Sequence, residues 1–181
     1  MRAGNTKRIV SILLSIAAIL IIVKVLVSFS LVKTGERQNI YIASISLKTK
    51  VSEDTKGMDV EQIIDYSLTL TASRLQFSYH NDLDNCLANC IGYAQLCAAI
   101  CNQAFASNGI DGQARPVVGY IKSLGINWCD VFKAIAPKSS YRNFVKDHDF
   151  VEVVTDSKAY IFDPSIYDVL GKKCLTIKTR Q

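Results

Sequence analysis

The first 33 residues contain no aspartate or glutamate, yet they hold Arg2, Lys7, Arg8, Lys24 and Lys33. Those five side chains account for the whole formal net charge of +5, since the rest of the chain carries equal numbers of basic and acidic groups. The body lacks a basic surplus, so the alkaline isoelectric point is no signature of nucleic-acid binding. Cysteine is sparse too: six in 181 residues are too few for a small disulfide scaffold. Histidine is sparser still, with only His80 and His148. No repeat or low-complexity tract is present. At 49% hydrophobic residues the chain is not disordered, and its length suits one domain with an appendage.

What is present at the N-terminus is an apolar run. Ile9 to Val32 is 24 residues long with one charge, Lys24. A helix needs about 20 apolar residues to cross a bilayer, and a lysine towards one end can snorkel to the interface. The other reading is a signal peptide whose apolar core is Ile9 to Val23. No Ala-x-Ala follows, and Ser28-Phe29-Ser30 is the best small-x-small substitute, which favours an uncleaved anchor. Arg2, Lys7 and Arg8 before the run keep the N-terminus cytoplasmic, although Lys33 and Arg37 lie beyond it. The expectation is a single-pass membrane protein with its domain facing the periplasm or the exterior.

Three segments follow from this: residues 1–33 as anchor or signal, 34–58 as linker, and 59–181 as one domain. Within the linker, Ile40 to Leu47 alternates loosely and predicts a short strand. Asp59 predicts the cap of a helix running to about Tyr79, with Val60, Ile63, Ile64, Leu68 and Leu75 at helical spacing. A polar turn spans 80–85. Cys90 to about Ala106 predicts an apolar helix ended by Asn108-Gly109. Strands are expected over Gln113–Ile121, Phe150–Val154 and Ala159–Phe162, the last two joined by a turn at 155–158. Helices first and paired strands later make this an α+β fold.

Cys86, Cys90, Cys97 and Cys101 would share a stripe of roughly 60° on one helix. Along a continuous helix the outer two would stand about 22 Å apart, too far to surround one metal ion. No C-x-x-C pair occurs. Cys97 and Cys101 read better as small hydrophobes on a buried face, while Cys86, Cys129 and Cys174 leave a disulfide open in an exported domain.

Cys90 stands apart because it follows a polar loop and opens a hydrophobic helix. Free N–H groups and the helix dipole there favour a thiolate and can hold an oxyanion. Such a nucleophile wants a histidine base oriented by a carboxylate or amide. His80 reads as a surface side chain in the turn, and Asn85 or Asn89 as a helix cap. His148 opens the first strand of the C-terminal hairpin and Asp163 closes the second, so antiparallel pairing can set carboxylate beside imidazole.

Three ordered blocks carry a family likeness. They are Asn89-Cys90-Ile91-Gly92-Tyr93-Ala94 with Leu96; Gly109-Ile110 followed by Ala114-Arg115-Pro116-Val117-Val118-Gly119-Tyr120; and Asp147-His148-Asp149-Phe150-Val151-Glu152-Val153 followed by Phe162-Asp163-Pro164. Across roughly residues 82–168 the chain resembles the transglutaminase-like superfamily. The resemblance implies a papain-like core, a nucleophile helix packed on an antiparallel sheet. It implies Cys90 as nucleophile, His148 as general base and Asp163 as the residue orienting the imidazole.

Some positions depart from the family pattern. Ala88 stands where a glycine often precedes the cysteine by two, and Phe150 where a tryptophan commonly follows the histidine. The stretch between Tyr120 and Asp147 is longer than in compact members; its apolar residues (Ile126, Trp128, Val131, Phe132, Ile135) suit packing better than a lid. The expected function is acyl transfer by a Cys-His-Asp triad without metal or cofactor, as a peptide or amide hydrolase or a transglutaminase. The partner would be a peptide or protein substrate, through a peptide bond or a glutamine carboxamide. The alternative is a catalytically silent peptide-binding or scaffolding module on the membrane.

Overall fold

The computed structural model describes residues 29–123, 125–127 and 147–179, with isolated positions at 14–16, 18–19, 130–131 and 134. Most of the apolar run, including Lys24, lies outside the described residues, as do Trp128, Cys129, Phe132 and Ile135. Among the described residues no helix is long and apolar enough to cross a membrane.

The architecture is α+β: one long helix packed on an antiparallel sheet. The strands are β1 (Phe29–Glu36), β4 (Gly112–Ser123), β6 (His148–Thr155), β7 (Lys158–Phe162) and β8 (Thr176–Thr179), in that spatial order. A short β5 (Ile126–Asn127) folds back on the end of β4. Two further two-residue strands, β2 (Gln76–Phe77) and β3 (Leu87–Ala88), pair in parallel apart from the main sheet. The helices are α1 (Ile45–Asp54), α2 (Val60–Arg74), α3 (Cys90–Asn108) and the short α4 (Pro164–Leu170).

β1 changes the expected layout of the N-terminus. Phe29 to Val32 do not continue the apolar run; they pair with Ser123 to Tyr120 at the edge of the sheet. Sheet structure therefore begins about thirty residues before the expected start of the domain at 59. Residues 34–58, expected as a linker, hold the end of β1 and all of α1. The strand expected at Ile40–Leu47 gives way to a helix from Ile45. Ser44 caps it by accepting from the N–H of Leu47 at 3.3 Å, and the buried side chains are Leu47 and Val51, four apart. Ile40, Ile42 and Ile45, which suggested alternation, are all exposed.

α2 starts where expected. Asp59 accepts from the N–H of Gln62, and the Gln62 side chain accepts from the N–H of Asp59, both at 2.9 Å: a complete capping box. It stops at Arg74 rather than near Tyr79, because Leu75 turns extended and Gln76 joins β2. α3 ends at Asn108, with Gly109 left-handed at φ +64°. Its buried side chains, including Tyr93, Leu96, Ile100 and Phe105, meet Val151, Val153 and Phe162 of the sheet and Ile63, Ile64 and Leu68 of α2. A second apolar cluster comprises Leu31, Val117, Phe150 and Ile161, so β6 and β7 are apolar on both faces, as alternation along a strand requires.

The β1–β4–β6 centre depends on Gly119, paired with Lys33 on one side and His148 on the other. A Cβ there would sit 2.0 Å from the carbonyl oxygen of Val32 and 2.9 Å from the Phe150 ring. A backbone carbonyl in a ladder cannot step aside. Gly119→Ala is expected to cost about 3 kcal/mol or more, read as a lowered urea midpoint. An unchanged midpoint would refute this placement of β1.

Candidate active site

The turn before α3 places Cys90. Asn89 is the N-cap: its side chain accepts from the N–H of Ile91 at 3.0 Å, and its own N–H donates to Asn81 Oδ1 at 2.8 Å. The 81–84 turn thus lies against the first turn of the helix. Gly92 permits that approach, since a Cβ there would stand 2.8 Å from both Ala88 Cβ and Asn81 Oδ1. Cys90 is the first helical residue and is buried, so its N–H has no partner within the helix.

Cys86 is not on this helix. It follows a 3₁₀ turn (Leu83–Asn85) in a left-handed conformation, φ +60°, and is exposed. The four-cysteine stripe is therefore three cysteines at most. Cys97 and Cys101 are fully buried; burial pushes the Cys97 thiol well up, and Cys101 beside it adds to the effect. The thiols of Cys86, Cys90, Cys97, Cys101 and Cys174 are all free. Among the described residues no three His, Cys, Asp or Glu side chains are grouped as a metal ion would need.

The hairpin brings the other two candidates to one edge. β6 and β7 pair with Val151 opposite Phe162, so His148 and Asp163 lie at the same end. His148 Nε2 hydrogen-bonds Asp163 Oδ2. The remaining oxygen, Oδ1, accepts from the N–H of Ser165 at 2.9 Å, the Ser165 hydroxyl at 2.7 Å and the N–H of Ile166 at 3.0 Å. Asp163 is thus also the N-cap of α4, a helix the sequence reading did not foresee, as it did not foresee β8. Both oxygens of a fully buried carboxylate are engaged. Burial alone would raise its pKa, but His148, Ile166 and Ser165 outweigh burial and hold it below the usual carboxylate range.

Cys90 lies close enough to His148 to act on the protonation of its imidazole. Burial works against its protonation, but the Asp163 carboxylate, followed by the nearby Cys90 sulfur, lifts its pKa well above that of free imidazole. With Nε2 committed to Asp163, Nδ1 is the nitrogen left to take a proton from the thiol. Phe150 flanks the imidazole in a stacked arrangement, ring centroids 6.5 Å apart. The structure thus brings Cys90, His148 and Asp163 together, and leaves His80 exposed in the turn.

Arg37 was missed. It lies just past β1, in the segment expected to be linker, and clamps the buried carboxylate of Asp149, with Nη2 to Oδ1 at 3.0 Å. The clamp adjoins His148 in sequence, and the Arg37 guanidinium also feels the charge of Cys90. Only the pairing of β1 with β4 reveals it, because no local pattern links residue 37 to residues 90 and 149.

The two shifts at the His148–Asp163 pair have opposite signs and set a pH window. The raised imidazole contributes stability fully below its unfolded value of about 6.5 and loses it as pH climbs through the raised value. The depressed carboxylate contributes above about 3.9 and loses this as pH falls through the lowered value. The thermal midpoint gap between wild type and His148→Gln should be widest near pH 5–6 and shrink on the alkaline side. Calorimetry showing a constant gap from pH 5 to 10 would reject the charged pair.

No protein-family model matches this chain, and comparison with curated proteins and with solved structures finds no match.

Proposed function

We propose that this protein is an acyl-transfer cysteine enzyme with a papain-like core of the transglutaminase-like kind. The observation that carries the reading is one nucleophile, one base and one orienting carboxylate in series: Cys90 heading α3, His148 beside it, and Asp163 behind His148. The thiol proton passes to His148 and Sγ bonds to the carbonyl carbon of a peptide or carboxamide. The oxyanion is met by the free N–H of Cys90. The C–N bond then breaks as His148 gives its proton to the leaving amine, and an acyl-thioester remains. Water, activated in turn by His148, releases the acid and restores the thiol. An amine in place of water gives cross-linking.

The N-terminal run supports placement of this domain at the outer face of a membrane. Residues 9–28 still give 20 largely apolar positions once Phe29 begins β1, enough to span. Leu14, Ile16 and Ile19 are helical and exposed, as lipid-facing residues are. Cleavage near Ser28-Phe29-Ser30 would fall inside β1, which favours an uncleaved anchor over a signal peptide.

An acylating ester such as a p-nitrophenyl acyl ester tests the chemistry directly. Intact-mass spectrometry should show one acyl adduct on the wild-type protein, mapped to Cys90, released by hydroxylamine and missing from Cys90→Ala. Absence of any adduct on Cys90 would leave the fold as a silent binding module.

A further inference from the structure

We propose that the cavity beside Cys90 is a pocket for a basic side chain, lysine or arginine, carried by the acyl substrate next to the reacting carbonyl. This rests on the acyl-transfer reading and supplies its substrate class. The cavity measures about 370 Å³ and is lined by Ile40, Asn81, Asp82, Leu83, Asp84, Ile91 and Gln95. Ile91 follows Cys90 directly, and Gln95 lies one helical turn further along the same face of α3, so the cavity adjoins the nucleophile. Ile40, in the segment that leaves β1, is the one lining residue from outside the 81–84 turn and α3. Arg37 lies near Cys90, and Asn39 Nδ2 donates to the carbonyl of Gln95 at 3.2 Å, which fixes Ile40 at the rim.

Gln95 is the informative residue. Its side chain is 6% exposed and lines the cavity, yet its carboxamide has no hydrogen-bond partner among the described residues. Its amide is not sealed in the core, where Ser67 Oγ and Thr71 Oγ1 are the unpartnered atoms among the described residues, but opens on the cavity, where an occupant can supply its hydrogen bonds. The charge of the lining says which kind. Both carboxylates are exposed at the rim; among the described residues Asp84 has no ion-pair partner, and the Asp82 carboxylate accepts from the N–H and Nδ2 of Asn85, at 3.3 and 2.8 Å. No lysine or arginine lines the space. An aliphatic stem can lie along Ile40, Leu83 and Ile91, while a cationic head donates to the two carboxylates and to Gln95 Oε1. An acidic side chain would meet two like charges.

The test uses the full-length protein in detergent and peptidyl chloromethyl ketones carrying arginine, norleucine or glutamate at the reactive residue. Each alkylates Cys90 with loss of chloride, and iodoacetamide reports the nucleophile without the pocket. The arginine reagent should react at least about tenfold faster than the norleucine one, as expected of a charge-assisted contact, and glutamate slowest. Asp84→Asn and Gln95→Leu should each erode the arginine preference while the iodoacetamide rate holds. Rapid iodoacetamide labelling with equal arginine and norleucine rates would overturn the pocket and spare the enzyme reading. If Cys90 resists iodoacetamide, the enzyme reading fails instead. The pocket is then judged by equilibrium binding of an arginine-containing against a norleucine-containing peptide amide to Cys90→Ala, where equal affinities would overturn it.

Discussion

Replacing His148 by alanine is expected to slow the alkylation of Cys90 by iodoacetamide at pH 7 by about a hundredfold or more, the scale of a lost general base. The thiolate is the reacting species, and at neutral pH His148 is the group placed to hold its proton. Exposed Cys86 gives an internal reference, since nothing in the structure ties it to His148. The pH profile separates a lost base from a damaged fold. Hydroxide can do the imidazole's work at high pH, so the mutant rate should climb towards the wild-type rate there. A general loosening of α3 would instead expose Cys97 and Cys101, which are fully buried, and label them too. Equal rates at Cys90 in wild type and mutant would show that the Cys90–His148 contact has no chemical consequence.

The candidate triad was legible because each member carries a local signal. Cys90 sits between a polar turn and an apolar helix, and His148 and Asp163 close the two arms of a hairpin whose turn the sequence marks at 155–158. The Asp59 cap and the Asn108-Gly109 stop were legible for the same reason: caps are local chemistry. β1 was hidden because Phe-Ser-Leu-Val extends an apolar run, and its partner β4 lies more than eighty residues away in sequence. α1 was hidden by exposed isoleucines that mimic strand alternation, while its buried pair, Leu47 and Val51, is too small a stripe to stand out. Arg37 and the cavity depend on β1 and on the 37–40 segment that leaves it, so they could not be seen before those were placed. Non-local pairing, not residue chemistry, was the missing information.

If the proposed acyl transfer is this protein's activity, Asp163→Asn is expected to lower it by about 10²–10⁴-fold while leaving the fold nearly as stable, although an amide can serve as the third member of such a site. The reason lies in what this carboxylate holds. Oδ1 faces three donors, the N–H groups of Ser165 and Ile166 and the Ser165 hydroxyl, and so must remain an acceptor. An asparagine keeps the cap of α4 only by putting its oxygen there, which turns its NH₂ towards His148 Nε2. Nε2 would then have to accept, the proton would move to Nδ1, and the nitrogen facing Cys90 could no longer take the thiol proton. The alternative orientation restores the tautomer but sets an NH₂ against three donors, unsatisfied in a fully buried position, which costs the helix its cap. Activity and stability should therefore trade against one another in this variant. Asp163→Ala loses both together, with about 1–2 kcal/mol from the cap alone. Thermal midpoints and acyl-adduct rates on the two variants check this. An Asp163→Asn protein that is both fully active and fully stable would mean that the carboxylate is not shared between His148 and α4 as the structure has it.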